Sequence, residues 1–509
     1  MHKLRQEMKN ESIPFEILKI FRAVFCALPG ENYLVQCISI PSWRNSLCKI
    51  QNSGQLFLSF HFHWKLSLNL SNGIGKIYNN HMTDEKLRIY LETKKDDISK
   101  ITVYPRELHF LPQTEFITTI VGPRRSGKTY TMFNLIKENN IPPSGYIFLN
   151  FEDVGLDTTD SAIIERSIVQ HTFIYGNEPE WIFLDEIQNL LEWQKALYSI
   201  YEKKRFKIVV SGSTSKLTSK EIASGLRGRS VTVPVFPLSL KEVVKFKGFE
   251  RRDVYSMTKR AEILRIFSQY LQIGGFPQLW FNTINPNIFF QNYVETIVYR
   301  DIVERYRVKN PQLFRSLLPI LAASNAKEVS IKKLHNTFAS KGVKLSKSSF
   351  YNYIYYLQEI FLVNLLKKIH YKERESLLSV PKIYFSDTGL VSYLHTTSFE
   401  RNWGRLLENI IFLELYKKLL TGEIYGLFYW KSNGGEVDFV VKKFPGEVSE
   451  LIQVTHATTE EEIEDREIKG IMKAKKIFSN ARSLIITWNF EGEIQDIECI
   501  SAVNWILEN

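Results

Sequence analysis

The chain has 509 residues, which is too many for one hydrophobic core, so we expect several domains. Hydrophobic residues make up 44% and charged residues 24%, an ordinary balance for a globular protein, and no apolar run approaches the roughly 18 residues of a membrane span. We therefore expect a cytoplasmic protein without a secretory signal, and the four cysteines, which lack metal-ligand spacing, favour a reducing compartment and give no indication of a zinc site.

The net charge of +11 is concentrated in one segment of the chain. Between Tyr306 and Lys372 there are twelve lysines and arginines against two glutamates, a net charge of +10. From Val380 to the end there are 14 basic and 20 acidic residues, a net charge of −6. A run of charge is often only a solvated surface, but its concentration in one domain-sized segment favours nucleic-acid binding.

Residues 1–81 contain no recognisable motif. The alternation of apolar and polar residues from Leu56 to Leu70 predicts a β-strand, and His61 and His63 on its polar face are interpreted as exposed histidines because no further metal ligands are near. Met82 directly precedes an amphipathic helix pattern. We therefore predict that residues 1–81 are an N-terminal extension, either dispensable or included through the choice of start codon.

Residues 114–129 read TEFITTIVGPRRSGKT, an apolar run followed by the complete pattern G-x-x-x-x-G-K-[ST]. In this pattern the glycines let backbone N–H groups surround phosphate oxygens, the lysine reaches the β and γ phosphates, and the hydroxyl binds Mg²⁺. The apolar run suits a buried strand and residues 130–137 suit a helix, as the motif requires. We predict an ATP site with Mg²⁺, formed by Gly122, Pro123, Arg124, Arg125, Ser126, Gly127, Lys128, Thr129 and Tyr130.

A second apolar run, WIFLDE at residues 181–186, ends in two acidic residues. Asp185 is predicted to bind Mg²⁺ together with Thr129, and Glu186 to polarise the attacking water, the division of roles that phosphoryl transfer requires. The alternative is a solvated acidic pair after a buried strand. Further strands of the same sheet are predicted at residues 145–151, 206–210 and 231–235. Strands and helices then alternate as in a three-layer α/β domain.

Six motifs resemble those of one protein family: VGPRRSGKT, WIFLDEIQ, VVSGSTSKL, GLRGR, VFPLSLKEV and LQIGGFPQLW. The family consists of archaeal and bacterial AAA-type ATPases that carry a C-terminal domain of restriction-endonuclease type, and the resemblance begins near Asp84. It implies an α/β fold, in which a P-loop NTPase (AAA-type) three-layer core is followed by a helical lid, a winged helix and a C-terminal α/β nuclease-like domain. We assign the ATPase domain with its leading helix to residues 82–240, the lid to 241–305, the basic winged-helix domain to 306–372 and the restriction-endonuclease-like domain to 373–509.

In AAA-type ATPases the polar residues after the fourth strand sense the γ-phosphate and the attacking water. The resemblance therefore implies this role for Ser213, with Ser211 and Thr214 as alternatives. Arg227 and Arg229 stand just before the fifth strand, and an arginine supplied in cis or by a neighbouring subunit of a homo-oligomer stabilises charge in the transition state. The alternative role for both arginines is solvation of a loop.

The basic segment is predicted to contain three helices, the third of which begins after the N-cap residue Ser346. On this helix the residues predicted to face the core are Phe350, Ile354 and Leu357. The residues left on the outward face are Lys347, Ser348, Tyr351, Asn352 and Tyr355. Such a helix suits the major groove, so DNA is the predicted partner, and a winged helix that contacts protein is the alternative.

The C-terminal part resembles the PD-(D/E)xK nuclease layout, in which Glu408 on a helix, Asp438 on a strand and Gln453 would bind a Mg²⁺ ion. Thr455 stands where the layout has its lysine, and Lys442 lies about 13 Å along the strand from Asp438, too far to replace it. We therefore expect a vestigial metal site and slow or absent DNA cleavage.

The leading interpretation is a Mg²⁺-dependent ATPase that acts on DNA through its winged helix and carries a degenerate nuclease-like domain. One alternative is an ATP-dependent switch or scaffold in which turnover is incidental. The other is a DNA nuclease gated by ATP.

Overall fold

The computed structural model describes residues 36–39, 48–51, 55–59, 64–69, 82–108, 110–213, 229–308, 311–342, 346–370, 372–395 and 403–508. The chain divides into two compact units, Met1–Met82 and Thr83–Asn509. Within the described ranges, no helix combines the length and the apolar character that a membrane-crossing segment requires.

The first unit contains a four-stranded antiparallel sheet. Its strands are β1 (Gln36–Ser39), β2 (Cys48–Gln51), β3 (Gln55–Ser59) and β4 (Trp64–Asn69), in the order β1-β4-β3-β2. The prediction of one strand from Leu56 to Leu70 is wrong, because β3 and β4 are separate strands that pair antiparallel. Alternation with a period of two is the same in one long strand and in two paired strands, so the pattern does not separate them. His61 and His63 lie outside the described residues.

The second unit begins with a parallel five-stranded sheet. Its strands are β5 (Ile117–Val121), β6 (Tyr146–Asn150), β7 (Trp181–Asp185), β8 (Lys207–Gly212) and β9 (Ser230–Pro234). The order across the sheet is β6-β7-β8-β5-β9, with every pair parallel, which confirms the predicted α/β core. Because the strands are parallel, the carboxyl ends of β5, β7 and β8 meet at one edge, where ligands bind in sheets of this type.

Four helices accompany this sheet: α1 (Asp84–Lys100), α2 (Lys128–Glu138), α3 (Ile163–Tyr175) and α4 (Trp193–Glu202). Single 3₁₀ turns lie at Pro143–Gly145 and Ile187–Asn189. A buried apolar cluster joins α1 and α2 to the strands, and its members include Ile98, Ile120, Met132, Phe148, Phe183 and Val209. This packing fixes α2 against the sheet, directly after the predicted phosphate loop.

A helical segment follows the sheet. It consists of α5 (Leu240–Phe246), a 3₁₀ turn (Arg251–Tyr255), α6 (Met257–Ile273), α7 (Pro277–Phe281) and α8 (Pro286–Thr296). At its C-terminal end α8 continues directly into a π-helix at Ile297–Glu304. Such segments are uncommon and frequently lie at functional positions.

The basic segment combines helices with a three-stranded antiparallel sheet. Its elements are α9 (Pro311–Ala323), β10 (Lys327–Glu328), α10 (Ile331–Ser340), α11 (Lys347–Glu359), β11 (Val363–Leu366), α12 (Glu373–Leu378) and β12 (Lys382–Phe385). The strand β12 lies between β10 and β11. The domain boundary predicted at residue 372 therefore separates β12 from its partners, because charge composition carries no information about strand pairing.

The C-terminal part is built on a six-stranded mixed sheet. Its elements are α13 (Thr388–Leu394), α14 (Trp403–Thr421), β13 (Gly426–Ser432), β14 (Gly435–Lys442), β15 (Glu450–Val454), a 3₁₀ turn (Glu460–Glu462), α15 (Asp465–Ile477), β16 (Arg482–Thr487), β17 (Gly492–Ile494), β18 (Ile497–Ser501) and α16 (Ala502–Glu508). The order is β13-β14-β15-β16-β18-β17. The first three strands are antiparallel neighbours, whereas β16 pairs parallel with β15 and with β18.

One hydrophobic cluster extends from Leu238 to Leu507 and joins the segments that follow the parallel sheet. Phe267 of α6, Phe350 of α11 and Ile411 of α14 are all buried members of it. The predicted lid, basic segment and C-terminal domain therefore share a core. An amphipathic pattern indicates that a helix face is buried but does not show which element covers it, so the sequence suggested separate domains.

Removal of residues 1–81 is expected to leave the remainder folded and its ATP turnover unchanged, because the unit that begins at Thr83 contains the whole parallel sheet and every predicted nucleotide motif. The measurement compares the thermal unfolding midpoint and the steady-state ATPase rate of the full chain with those of a chain that starts at Met82. Loss of folded protein or of turnover in the shorter chain would show that the first unit stabilises the second.

Candidate functional site

The phosphate loop connects β5 to α2 at the carboxyl edge of the sheet, as its motif predicts. Gly122 is required by close packing, because a Cβ atom at this position would lie 2.0 Å from the carbonyl oxygen of Val235. Gly127 has a φ of 100°, in the left-handed region that glycine adopts without strain. The loop thus leaves unpaired backbone N–H groups at the N-terminus of α2, where anions bind.

Lys128 is buried at the first position of α2. Its ammonium donates to the carbonyl oxygens of Gly122 at 3.3 Å and Pro123 at 3.1 Å, and it lies 3.5 Å from a carboxylate oxygen of Glu186. The side chain of Tyr130, two residues later, is exposed on α2. The positive charge of the motif therefore lies inside the loop, beside the acidic end of β7.

Asp185 ends β7 and accepts hydrogen bonds from two hydroxyls. Thr129 Oγ1 donates to Oδ2 at 2.8 Å, and Ser211 at the end of β8 donates to Oδ1. Burial, together with the neighbouring carboxylate of Glu186, raises the pKa of Asp185 to about 6. A hydroxyl and a carboxylate oxygen at this separation are the kind of ligands that Mg²⁺ prefers, so the pair predicted to bind the ion is assembled.

Glu186 adopts a left-handed backbone conformation, with a φ of 50°, that is uncommon outside glycine. Its N–H donates to Ser211 Oγ at 3.0 Å, and its carboxylate accepts from Gln188 Nε2 at 2.5 Å and from the Ser213 N–H at 3.2 Å. Burial acts to raise the pKa of Glu186, but the charge of Lys128 and the hydrogen bond from Gln188 outweigh it and lower the pKa. The side chain is therefore an ionised carboxylate in a fixed position.

Two buried hydroxyls in the site, Ser126 Oγ and Ser213 Oγ, have no hydrogen-bond partner among the residues that the structure describes. Buried polar groups are nearly always paired, so both hydroxyls fit oxygen atoms of a bound phosphate or its attacking water. The hydroxyl of Ser211 is already engaged with Asp185, which favours Ser213 over Ser211 as the sensing residue. Thr214 lies outside the described residues, as does Arg227.

Taken together, these residues fit ATP with Mg²⁺. The loop supplies backbone donors and the buried ammonium of Lys128, the two buried hydroxyls lack partners, and Thr129 and Asp185 supply oxygen ligands. Each group is of the type that phosphate or its metal ion requires.

The side chains of Arg124 and Arg125 extend from the loop toward the helical segment. Arg124 Nε donates to both carboxylate oxygens of Asp301, at 2.9 and 2.7 Å, and its Nη1 donates to Glu152 at 3.0 Å. The guanidinium of Arg125 lies 5.4 Å from the ring centroid of Phe289 on α8. The loop is thus connected to α8 and to the π-helix. The sequence did not indicate Asp301, because no local pattern relates residues 177 positions apart.

Arg229 lies at the opposite edge of the sheet from the phosphate loop. Its carbonyl oxygen accepts from the N–H of Ile117 at 3.0 Å, at the start of β5, and its guanidinium donates to Glu202 at 2.6 Å. The loop is one strand length away, about 15 Å. The suggested role of Arg229 in cis is therefore wrong, because a residue that precedes a parallel strand lies at the amino edge. Action on a neighbouring subunit stays a prediction.

Arg106 joins the phosphate loop to the end of β9 and to α5. Its Nη1 donates to the carbonyl of Ser126 at 3.0 Å, its Nη2 to the carbonyl of Phe236 at 2.9 Å, and its Nε to Glu242 at 2.5 Å. Glu242 also accepts from the Glu107 N–H at 3.1 Å. The side chains of this ion pair are only 9% and 5% exposed. The sequence indicated neither residue, since they lie 136 positions apart.

The basic segment presents the helix face that the sequence predicts. On α11 the buried side chains include Phe350, Ile354 and Leu357. The exposed residues of the same helix are Lys347, Ser348, Tyr351, Asn352 and Tyr355. Ser346 Oγ accepts from the Ser349 N–H at 3.1 Å, which confirms the predicted N-cap. Lys332 and Lys333 on α10 are also exposed. This surface is basic and carries two exposed tyrosines.

A lysine occupies the centre of the predicted C-terminal metal site. The structure brings Glu408, Asp438 and Gln453 together, but the ammonium of Lys382 lies 3.0 Å from Glu408, 2.8 Å from Asp438 and 2.8 Å from Glu436. Lys382 is buried. Burial acts to lower its pKa, but the carboxylates, Asp438 first, outweigh burial and raise it. The one signal in the sequence is a lysine that begins the otherwise apolar strand KIYF.

The other residues of this cluster are engaged within the protein. The amide oxygen of Gln453 accepts from the Asp438 N–H at 3.3 Å, and Asp438 Oδ2 accepts from the Val454 N–H at 3.2 Å. Thr455 stands beyond β15, and the ammonium of Lys442 lies 5.6 Å from the ring centroid of Phe428. Across the part of the chain that the structure describes, no group of three or more His, Cys, Asp or Glu side chains is arranged to hold a metal ion.

The observed arrangement of Glu408, Asp438 and Gln453 therefore does not fit the Mg²⁺ ion that we expected there, because the ammonium of Lys382 lies among the carboxylates. Lys382 belongs to a strand 26 residues before Glu408 and 56 residues before Asp438, and strand pairing that is not visible in the sequence brings it to the cluster.

Comparison with known proteins assigns part of the chain. Residues 114–244 match the family model of the AAA domain, and residues 264–401 match that of a domain of unknown function, DUF8612. The chain is 35% identical over 419 residues to the uncharacterized protein MJ1544 of Methanocaldococcus jannaschii, with 81% of this chain and 91% of the relative covered. It is 28% identical over 416 residues to an uncharacterized protein of Haemophilus influenzae, with 80% and 98% covered. The match of residues 114–244 to the AAA domain confirms the AAA-type domain that the motifs predict.

Among the solved structures with partial similarity to this chain is that of Aeropyrum pernix ORC1 in complex with DNA, which is 13% identical. The similarity covers 66% of this chain and 97% of that chain, with a TM-score of 0.26.

Glu242→Ala is expected to lower the free energy of unfolding by about 3–5 kcal/mol, because it leaves the Arg106 guanidinium without its carboxylate partner in a buried position and removes the Glu242 half of the capping box of α5. Burial acts to raise the pKa of Glu242, but Arg106 lowers it below the ordinary value. The contribution of Glu242 to stability is therefore complete above the unfolded-state pKa of about 4.3 and is lost as the pH falls through the lower folded-state value. Urea unfolding at several pH values measures both effects.

Glu180→Ala is the matched control. Glu180 pairs with Lys207 at 2.6 Å, but the pair is solvent-exposed, so a loss below about 1 kcal/mol is expected. Equal losses in the two variants would contradict a special role for the Arg106–Glu242 pair.

Proposed function

This chain belongs to the same protein family as MJ1544 of Methanocaldococcus jannaschii, and from that premise we propose that it is a Mg²⁺-dependent AAA-type ATPase that acts on DNA. The observation that carries the proposal is the meeting of Thr129, Asp185 and Glu186 beside the buried ammonium of Lys128. Phosphoryl transfer is catalysed mainly by positioning and by charge stabilisation, and these four side chains are of the types that both tasks require.

Each side chain has a distinct role in the proposed hydrolysis. Bound with ATP, Mg²⁺ supplies charge stabilisation at the transferred phosphoryl group. Thr129 and Asp185 would hold the ion, and Lys128 would neutralise the β and γ phosphates. Glu186 would orient the attacking water and accept its proton, because its carboxylate is ionised and fixed by Gln188. Ser213 would donate its hydroxyl to the γ-phosphate or to this water.

The arginines before β9 are proposed to act on the nucleotide of a neighbouring subunit in a homo-oligomer. This proposal is supported by the position of Arg229 at the amino edge, remote from its own phosphate loop. Its exposed ion pair with Glu202 is of the kind that costs little to break, so the guanidinium is available to a partner. Arg227 would act in the same way.

The proposed DNA-binding element is a winged helix formed by α9, β10, α10, α11, β11 and β12. The proposal is supported by this order of elements, by the antiparallel sheet β10-β12-β11 and by the net charge of +10 between Tyr306 and Lys372. The exposed face of α11, with Lys347, Tyr351 and Asn352, has the composition of a helix that enters the major groove.

The hydrogen bond that Arg124 Nε shares between both carboxylate oxygens of Asp301 provides a route from the nucleotide to this element. Asp301 belongs to the π-helix that directly precedes the basic segment, and Arg124 belongs to the phosphate loop. A change in the phosphate loop on ATP binding or hydrolysis would therefore be transmitted through the π-helix to the winged helix. This contact favours an ATPase whose turnover is coupled to DNA binding. It is less expected in a switch whose turnover is incidental.

The C-terminal part is proposed to have a nuclease-like fold that no longer cleaves DNA. The fold assignment is supported by the succession of α14, three antiparallel strands, α15 and a parallel fourth strand, and by the acidic residues Glu408 and Asp438 on α14 and β14. Loss of cleavage is supported by Thr455 in the position of the layout's lysine and by Lys382 among the carboxylates. An ATP-gated nuclease is therefore not the preferred function.

Glu186→Gln is expected to retain ATP binding and to lower the rate of hydrolysis by about 100-fold or more, because only the group that accepts the proton is lost. Lys128→Ala is expected to lose binding as well, because the charge inside the loop is removed. Titration with a fluorescent ATP analogue and a phosphate-release assay measure the two steps separately.

Glu192→Gln is the matched control, since Glu192 also has a positive φ, of 52°, but pairs with Lys195 on the surface. Wild-type turnover is expected for this variant. Hydrolysis by Glu186→Gln at the wild-type rate would show that Glu186 is not the water-polarising residue.

Lys347→Ala in the full chain is expected to weaken binding to duplex DNA, because each lysine that binds a phosphate group releases counterions. The slope of log affinity against log salt should become shallower by about 0.9 for each DNA phosphate that the variant no longer neutralises. Fluorescence anisotropy at several salt concentrations measures the affinity and the slope, with Lys469→Ala in the acidic C-terminal part as the control. An unchanged slope for Lys347→Ala would favour a winged helix that binds protein.

A further inference from the structure

The ammonium of Lys382 has as many N–H groups as it has carboxylate neighbours. It meets Glu408 at 3.0 Å, Glu436 at 2.8 Å and Asp438 at 2.8 Å. An ammonium has three donors and no acceptor; it donates hydrogen bonds to Glu408 and Asp438, and its contact with Glu436 is an ion pair. Charge-assisted hydrogen bonds of this length are among the stronger contacts in proteins.

The same carboxylates also accept from other donors of the chain. The Tyr384 hydroxyl donates to Glu408 at 2.6 Å, and Lys431 lies 3.0 Å from the second oxygen of Glu436. The Val454 N–H donates to the second oxygen of Asp438 at 3.2 Å. Each of the three carboxylates therefore contacts a second donor of the chain besides Lys382.

Strand pairing fixes the position of this ammonium. Lys382 pairs with Leu366 on β11 and with Glu328 on β10, whereas its carboxylate partners lie on α14 and β14. The side chain is 2% exposed, so it has no direct route to solvent. A divalent ion at the centre of the cluster would displace the ammonium from its acceptors, and a buried charge without partners is strongly unfavourable.

We propose that Lys382 is the resident cation of this cluster, in the place that a divalent metal ion would take, and that the C-terminal domain works without Mg²⁺. The cluster then serves as an ionic joint between the sheet of the basic segment and the C-terminal sheet. Removal of Lys382 converts the same carboxylates into a divalent-cation site. The proposal rests on the nuclease-like assignment of this domain and is independent of ATP hydrolysis.

The test measures Mn²⁺ binding to the full chain without nucleotide, by electron paramagnetic resonance of free Mn²⁺. The proteins are wild type, Asp438→Asn, Lys382→Met, the double variant Lys382→Met with Asp438→Asn, and Lys431→Met. The last is the matched control, because Lys431 also contacts Glu436 but lies outside the centre and is 40% exposed. Circular dichroism establishes that each protein is folded.

Lys382→Met is expected to bind one Mn²⁺ ion more than wild type, because the affinity of the carboxylate cluster for Mn²⁺ rises by at least about 100-fold. The double variant, in which Asp438 is also replaced, is expected to lose this ion. Lys431→Met is expected to bind as wild type does. The proposal would be overturned if wild type bound a Mn²⁺ ion that Asp438→Asn alone removes. It would also be overturned if Lys382→Met folded but bound no additional ion. If Lys382→Met does not fold, the comparison of wild type with Asp438→Asn decides the question.

ATP turnover of the same proteins separates this proposal from the proposed ATPase. Lys382→Met and Lys431→Met leave every residue of the nucleotide site in place, so basal turnover is expected to equal that of wild type. A chain that hydrolyses no ATP but shows the predicted pattern of Mn²⁺ binding would contradict the ATPase and leave the role of Lys382 intact.

Discussion

The buried ion pair between Arg106 and Glu242 is the contact on which the geometry of the nucleotide site depends. Arg106 donates to a carbonyl oxygen of the phosphate loop and to the carbonyl oxygen of Phe236 after β9. Glu242 belongs to the capping box at the start of α5. One guanidinium therefore fixes the phosphate loop and the stretch from Phe236 to Glu242, which are far apart in the sequence. Because neither charge has access to bulk water, each stays in place only while the other is present. The loop consequently has a defined position before any phosphate binds, and the cost of ordering it is met during folding.

Two further cationic side chains connect segments in the same way. Arg124 links the phosphate loop to Asp301 in the π-helix, and Lys382 links the sheet of the basic segment to the carboxylates of the C-terminal sheet. The hydrophobic cluster from Leu238 to Leu507 contains residues of the π-helix, of the sheet of the basic segment and of the C-terminal sheet, such as Ile302, Ile383 and Phe439. Ionic contacts specify which surfaces meet, because a buried charge without its partner is costly, and the apolar cluster supplies most of the driving force. A movement that begins at the loop would therefore move the later segments together.

The agreement between sequence and structure follows the range of the interactions involved. The phosphate loop, the acidic end of β7 and the faces of α11 were predicted correctly, because each is specified by residues that are close in the chain. The strand from Leu56 to Leu70 was wrong, since its alternation fits two paired strands equally well. The boundary predicted at residue 372 falls between β11 and β12, which pair in one sheet, and of the roles considered for Arg229 the one in cis does not agree with its position at the opposite edge. These errors concern pairing and edges, which local patterns do not encode.

The sequence by itself determined where the phosphate-loop motif lies in the fold, because its glycines, lysine and hydroxyl at fixed spacing stand between a buried strand and a helix. It also determined that one segment is strongly basic and which face of α11 carries that character. Only the tertiary structure decided what the C-terminal acidic residues do. Glu408 and Asp438 resemble the metal ligands of the PD-(D/E)xK layout, but a lysine from β12 lies between them, 26 and 56 residues away along the chain. The partner of a buried charge is chosen by the packing of distant elements, and only the folded chain shows which cation reaches the carboxylates.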